Sequence, residues 1–173
     1  MNVLEIVVRE PFDAKSIDRM QTFMLRGTMD FKDDNRIQND RLKSILDKLS
    51  PAQWSQDIGS GWSIGTMMCH LAFWDQLTSV RLRLWKEKGR LAVIPDEDNI
   101  NSINDSLRFI FGAIDYEHGK ALVQKSADEI DSLAQSLTPA QLAELESAGR
   151  DRWFKRSLHR SHHLERIERA LAR

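Results

Sequence analysis

Apolar residues recur every three to four positions along most of the chain, which is the periodicity of an amphipathic helix. Leu42, Ile45, Leu46 and Leu49 show this spacing in the first clearly patterned segment. The pattern predicts helices over about 36–49, 63–88, 95–112, 115–137 and 151–173. We therefore expect an all-α protein.

Capping residues set the boundaries of these helices. Ser63 is a good N-cap, because its hydroxyl can accept a hydrogen bond from the first helical turn, and Gly89 is a good stop. The acidic residues 96–98 favour a helix start, because negative side chains complement the helix dipole. Asp115 can cap the following helix, and Pro139 marks where that helix has ended.

The first 35 residues carry the weakest pattern. Val3–Val8 is compatible with a short strand or an extended arm, and Asp13–Leu25 with a short helix. We expect residues 1–35 to be an extension that packs on the domain or takes part in a dimer contact. Residues 36–173 are then a single domain, since a domain typically has about 150 residues.

The composition is that of an ordinary globular protein. The 173 residues are 41% hydrophobic and 29% charged, with a mean hydropathy of -0.47, which excludes a collagen-like or wholly disordered chain. No apolar run approaches the ~18 residues of a membrane span. Glu5 and Arg9 interrupt the N-terminal apolar residues that a secretory signal would need. The single cysteine, Cys69, fits a reducing compartment, so we expect a cytoplasmic protein.

Charge is unevenly distributed along the chain. Residues 95–146 carry eleven acidic and three basic residues, whereas residues 150–173 carry eight basic and three acidic ones. A basic segment can bind nucleic acid. The simpler interpretation is that the two segments face each other across a helical bundle, so we expect neither a nucleic acid nor a membrane as partner.

Three histidines are the candidate metal ligands of this sequence. His159 and His163 are four residues apart, so on a helix they lie one turn above the other and can converge on one metal ion. His70 lies on the apolar face of another predicted helix, where an imidazole without a partner is costly to bury. A metal ion would supply that partner. The alternative is that His70 is a hydrogen-bonded core residue and that the C-terminal histidines form a solvated face.

The adjacent pair of histidines can be separated on a helical wheel. His163 falls on the side of Ile167 and Ala170, whereas His162 points away from the apolar side of the last helix. His163 should therefore point inward. Whether His162 assists or replaces it stays open.

The other polar candidates have simpler explanations. Cys69 is rotated about 100° from His70 and should pack between helices. His118 should lie near solvent. Asp75 and Arg81 lie on the same predicted helix as His70, and of two roles, orienting a ligand or substrate or forming exposed salt bridges, we expect the salt bridges.

Two tryptophans and two asparagines are candidates for a pocket. Trp62 and Trp74 lie close enough to His70, in helical terms, to wall a pocket. We expect Asn101 and Asn104 to reach the same pocket.

A family resemblance rests on several motifs. The segment Trp62-Ser-Ile-Gly-Thr-Met-Met-Cys-His70 resembles the second-helix motif of the DinB/YfiT-like metalloenzyme superfamily. Three further stretches are also similar to that superfamily: Asn101 with Asn104, Leu137-Thr-Pro, and His159-Arg-Ser-His-His163. The resemblance covers about residues 36–173.

The resemblance implies an up-down-down-up four-helix bundle, usually within a homodimer. It also implies that His70, His159 and His163 hold one divalent metal ion. Such nitrogen ligands suit zinc, nickel, iron or copper better than magnesium or calcium.

The resemblance further implies an activity. Relatives include thiol S-transferases that use bacillithiol, mycothiol or glutathione, and an isomerase that depends on such a thiol. We therefore expect a thiol-dependent S-transferase acting on a small electrophile, with a low-molecular-weight thiol as cosubstrate. The alternative is a non-catalytic metal-binding or stress-related protein, because the thiol-binding residues are not recognisable in the sequence.

Overall fold

The computed structural model describes residues 30–173, which form seven α-helices, one 3-10 turn and no strand. The predicted strand or arm at Val3–Val8 and the predicted helix at Asp13–Leu25 lie outside the described residues. The helices are α1 (Phe31–Lys48), α2 (Pro51–Trp54), α3 (Ile64–Lys88), α4 (Glu97–Gly112), α5 (Tyr116–Gln135), α6 (Pro139–Ser147) and α7 (Ser157–Leu171). The 3-10 turn at Asp151–Trp153 precedes α7.

The predicted caps lie at the helix ends. The Ser63 side chain accepts a hydrogen bond from the Thr66 N–H at the start of α3, and Gly89 ends that helix in the left-handed conformation. Asp96 and Asp115 cap α4 and α5 in the same way as Ser63. These local hydrogen bonds explain why the sequence pattern located these starts closely.

Four of the helices form an up-down-down-up bundle, namely α1, α3, α5 and α7. Helix α1 is parallel to α7 and antiparallel to α5, while α3 is parallel to α5 and antiparallel to α7. Two contacts fix the direction of each of three helix pairs: Lys43–Asp128 and Asp47–Lys120 for α1 and α5, Asn35–Ser157 and Arg41–Glu168 for α1 and α7, and Asp75–Arg160 and His70–His163 for α3 and α7. The parallel arrangement of α3 and α5 follows from these three directions. Helix α4 packs on α3 outside this bundle and connects α3 to α5.

The core consists of two apolar clusters. One contains residues such as Leu46 and Leu164, and the other contains Trp85 and Phe154. Buried polar and charged residues lie between them along the bundle, including Asp75, Asp131, Arg156 and Arg160. This buried polar layer adjoins the histidines described below.

Two sequence expectations about the helices were wrong in detail. Helix α1 begins five residues before the predicted start. The last helix begins at Ser157 rather than at Asp151, because the consecutive residues Trp153 and Phe154 are both buried and the chain turns there. No helix within residues 30–173 is long and apolar enough to span a bilayer.

Candidate metal centre

The bundle brings the three predicted metal ligands together. His70 lies on α3, and His159 and His163 lie one turn apart on α7. The ring centroid of His70 lies 5.4 Å from that of His159 and 4.8 Å from that of His163. The centroids of the two α7 rings are also 4.8 Å apart. One nitrogen of each ring can serve as a ligand atom, and these three atoms lie within 4.8 Å of one another. We call these three residues the histidine cluster.

The environment keeps all three imidazoles neutral near pH 7. Burial lowers the pKa of His70 to about 4, and the nearby positive charges of Arg156 and Arg166 act in the same direction. Burial also lowers the pKa of His159 and His163 well below the usual range. A neutral imidazole keeps a lone pair for a metal ion, so the rings are in the ionisation state that ligation requires.

The hydrogen bonding of the rings fits a metal ion. The Nδ1 atoms of His70 and His163 are buried and have no hydrogen-bond partner among the described residues. An unpaired buried nitrogen costs about 1–3 kcal/mol, so a bound cation would relieve a cost that the protein otherwise bears. Three imidazoles without a carboxylate are also a donor set that transition metals prefer.

His162 lies outside the cluster. Its side chain is on the exposed side of α7, and its ring centroid is 5.1 Å from that of His163. Burial and the charge of Arg166 lower its pKa. In this position His162 contacts a candidate ligand and is not one of the three converging residues.

Aromatic rings form two walls beside His70. The Trp62 ring centroid lies 5.5 Å from the His70 ring, and that of Trp74 lies 6.2 Å from it. The indole N–H of Trp74 donates a hydrogen bond of 3.0 Å to Oδ1 of Asn104 on α4. Asn101, one turn earlier on α4, has an exposed side chain. Of the four residues expected to line a pocket, the two tryptophans are adjacent to the cluster and Asn104 contacts one of them.

Comparison with known protein families gives one family match for the chain. The sequence profile of the DinB superfamily matches residues 36–166. The chain belongs to the DinB superfamily. The matched range includes all three histidines and runs from α1 into α7. Searches of curated proteins and of solved structures found no significant match to the chain.

Three other candidate residues, Cys69, His118 and Arg81, are not among the three converging histidines. Cys69 is buried, and burial raises the pKa of its thiol to about 12, so it is not ionised near neutral pH. The His118 side chain is 82% exposed and pairs with Asp115. Arg81 is half-buried, and burial and Arg150 lower its pKa.

The expectation that Asp75 forms an exposed salt bridge was wrong. Asp75 is 1% exposed, and its carboxylate accepts hydrogen bonds from both Arg156 and Arg160. Arg160 is fully buried and also binds Asp131 on α5. The surface interpretation failed because burying Asp75 requires two arginines that lie more than 80 residues away in the sequence.

Arg156 lies near the cluster, and the sequence pattern did not single it out. Its guanidinium Nη2 lies 3.1 Å from Nδ1 of His159. The only signals in the sequence were the excess of basic residues after position 150 and the four-residue spacing of Arg156 and Arg160. Neither signal distinguishes an inward-facing arginine from a solvated one.

Proposed function

We propose that this protein is a metal-dependent enzyme that transfers a low-molecular-weight thiol to a small electrophile. The observation that carries the proposal is the convergence of three neutral imidazoles from two helices. Three protein ligands leave coordination positions open for a reactant. A divalent metal in such a site lowers the pKa of a bound thiol or water and so supplies a nucleophile at neutral pH.

The chain's own side chains support an external nucleophile. Cys69 is adjacent to His70 in sequence, but its thiol is buried and has a pKa of about 12. It is therefore a poor nucleophile, and the thiol must come from a cosubstrate. Membership of the DinB superfamily agrees with this assignment, and the walls formed by Trp62 and Trp74 offer an apolar surface for the electrophile.

Metal binding is the first test of this function. Protein stripped with a chelator should rebind about one equivalent of Zn²⁺, Ni²⁺, Fe²⁺ or Cu²⁺, measured by isothermal titration and metal analysis. His70→Ala and His163→Ala should each abolish this binding, because each removes one of three ligands. His162→Ala is the matched control and should bind nearly as the wild type does. If His162→Ala loses as much metal affinity as His163→Ala, the choice of His163 over His162 as the ligand is contradicted.

Turnover is the second test. The metal-loaded protein should accelerate the reaction of a low-molecular-weight thiol with a fluorogenic haloalkyl probe, and the chelated protein should not. Bacillithiol, mycothiol and glutathione form the thiol panel. If the loaded protein gives only the uncatalysed rate with every pair, the transferase assignment falls. Metal-dependent melting without turnover would instead support the non-catalytic metal-binding protein.

We also infer that the protein is a cytoplasmic homodimer. The exposed side chains of Phe109 and Ile110 on α4 are consistent with an apolar contact surface, and the single cysteine is consistent with a reducing compartment. Sedimentation velocity at micromolar concentration should give twice the mass of the 20.0 kDa chain. A monomer mass would remove the dimer from the proposal.

A further inference from the structure

Arg156 is fixed beside the histidine cluster by three hydrogen bonds. Its Nε donates to Oδ1 of Asp75 at 2.8 Å, and its Nη1 donates to the Arg152 carbonyl at 3.1 Å. Its Nη2 is 3.1 Å from Nδ1 of His159. Because an arginine only donates hydrogen bonds, Nδ1 of His159 is the acceptor in this contact.

This hydrogen bond cannot coexist with ligation of a metal ion by the same neutral imidazole. A neutral imidazole has one nitrogen with a lone pair and one that carries a proton. If His159 binds an ion through Nδ1, the lone pair is occupied, and if it binds through Nε2, Nδ1 carries the proton. In both cases Nη2 of Arg156 loses its acceptor and remains an unpaired donor 3.1 Å from the ring of a candidate ligand.

Within the described part of the chain, the buried charges beside the cluster balance one another and leave none as a counter-ion for a dication. The two buried arginines, Arg156 and Arg160, are balanced by the two buried aspartates, Asp75 and Asp131. Within the described residues, the group that can hold a metal contains three histidines and no carboxylate. A buried charge without compensation is costly, so a loaded centre would favour an anion at its open positions.

We propose that Arg156 is a specificity-determining residue that makes the loaded centre select anionic ligands. In the metal-free protein Arg156 donates to the lone pair of His159, so a metal ion must displace this hydrogen bond in order to bind. In the loaded protein its released Nη2 donates to a small anion, such as a thiolate or an inorganic pseudohalide, at an open coordination position. The proposal rests on the metal site of the proposed function and is independent of the transfer reaction.

The first measurement uses the metal alone. Arg156→Met removes the guanidinium while keeping an unbranched side chain, so its affinity for Zn²⁺, measured by competition with a chelating dye, should rise about tenfold relative to the wild type. Arg152→Met is the matched control, because it removes the same charge from an exposed side chain, and its affinity for Zn²⁺ should be unchanged.

The second measurement uses azide as the anion and Co²⁺ as a spectroscopic probe. Azide should change the visible absorption of the wild-type and Arg152→Met proteins at similar concentrations, whereas Arg156→Met should need about tenfold more azide. Arg156→Lys keeps the charge and should recover part of the azide affinity. A residue with only a structural role would instead weaken both metal and azide binding in Arg156→Met.

The opposite changes in metal and azide affinity are the result that supports the proposal. A fall in both affinities, or no change in either, overturns it, and circular dichroism checks that each variant is folded. If Arg156→Met does not fold, Arg156→Lys alone decides, since azide binding weaker than in Arg152→Met is expected and equal binding overturns the proposal. A loaded wild-type protein without thiol transfer would contradict the proposed function and leave these affinities interpretable.

Discussion

At the residue scale, the histidine cluster makes the stability of the metal-free protein depend on pH. The pKa of His70 is about 4 in the folded protein, against 6.5 for an unperturbed histidine. Between these values the unfolded chain binds more protons than the folded one, so the free energy of unfolding falls as the pH falls. The contribution of His70 is fully present above pH 6.5 and is lost toward pH 4.

We predict that His70→Gln reduces this pH dependence. Between pH 7 and pH 5 the metal-free wild type should lose about 2 kcal/mol through His70, with further losses through His159 and His163, which shift in the same direction. Urea unfolding at both pH values measures the difference. The exposed His118→Gln control should behave as the wild type does, and an unchanged pH dependence in His70→Gln would refute the prediction.

Two glycines decide how closely the starts of α3 and α5 approach Trp54. A Cβ on Gly65 or on Gly119 would lie 2.2 Å from an atom of the Trp54 ring. The indole N–H of Trp54 also donates to the Ile114 carbonyl at 3.3 Å, so the ring cannot move without loss of that bond. The first turns of both helices are thus packed against one side chain.

We predict that Gly65→Ala and Gly119→Ala each destabilise the protein by about 1–3 kcal/mol, because the added methyl group overpacks the core. Gly112→Ala is the control, since no described atom outside the neighbouring residues and turns of its own helix lies within 4 Å of its Cβ position, and alanine is the better helix former. Urea unfolding compares the three variants. The packing argument fails if Gly65→Ala is as stable as Gly112→Ala.

At the element scale, one asparagine of α1 holds the non-helical turn that precedes α7. Asn35 is 2% exposed, its Nδ2 donates to the Phe154 carbonyl at 2.7 Å, and its Oδ1 accepts from the Ser157 N–H at 2.9 Å. Asn35 thereby provides hydrogen-bond partners for two buried backbone groups of this turn, the Phe154 carbonyl and the Ser157 N–H. This arrangement sets where α7 begins, and α7 carries two of the three candidate ligands.

We predict that Asn35→Ala destabilises the protein by about 2–4 kcal/mol, because it leaves both backbone groups buried without a partner. Asn99→Ala removes an exposed hydrogen bond to Asp96 and should cost far less. Thermal and urea unfolding provide the comparison. Equal stability of the two variants would show that the turn before α7 does not depend on Asn35.

At the scale of the whole molecule, Arg160 joins three helices of the bundle. From α7 it pairs with Asp75 on α3 and with Asp131 on α5, and it also donates to the Ala127 carbonyl. Burial raises the pKa of Asp131 even though Arg160 opposes the shift. The charged layer between the two apolar clusters therefore depends on one fully buried side chain.

We predict that Arg160→Met lowers the free energy of unfolding by about 3–5 kcal/mol, because Asp131 would lose its buried counter-charge. Arg36→Met is the surface control: its partners Asp33 and Asp40 are exposed, so it should cost less than about 1 kcal/mol. Equilibrium unfolding near pH 7 measures both variants. Similar small losses would mean that the buried pairs contribute no more than surface ones.

The sequence alone determined the features that depend on neighbouring residues. Ser63 and Asp115 cap helices because their side chains reach only the next turn, which the local pattern contains. The four-residue spacing of His159 and His163 placed both on one side of α7 for the same reason. The family motif around His70 then predicted the helical bundle that the structure shows.

Which polar residues are buried depends on contacts between distant helices. Asp75 faces inward because Arg156 and Arg160 compensate its charge, and α7 begins at Ser157 because Asn35 pairs the adjacent backbone groups. These partners are about 80 to 120 residues apart in the sequence, beyond the reach of any local periodicity. Burial of a charge or of an unpaired backbone group is favourable only when its distant partner is in place, so the folded bundle determines it.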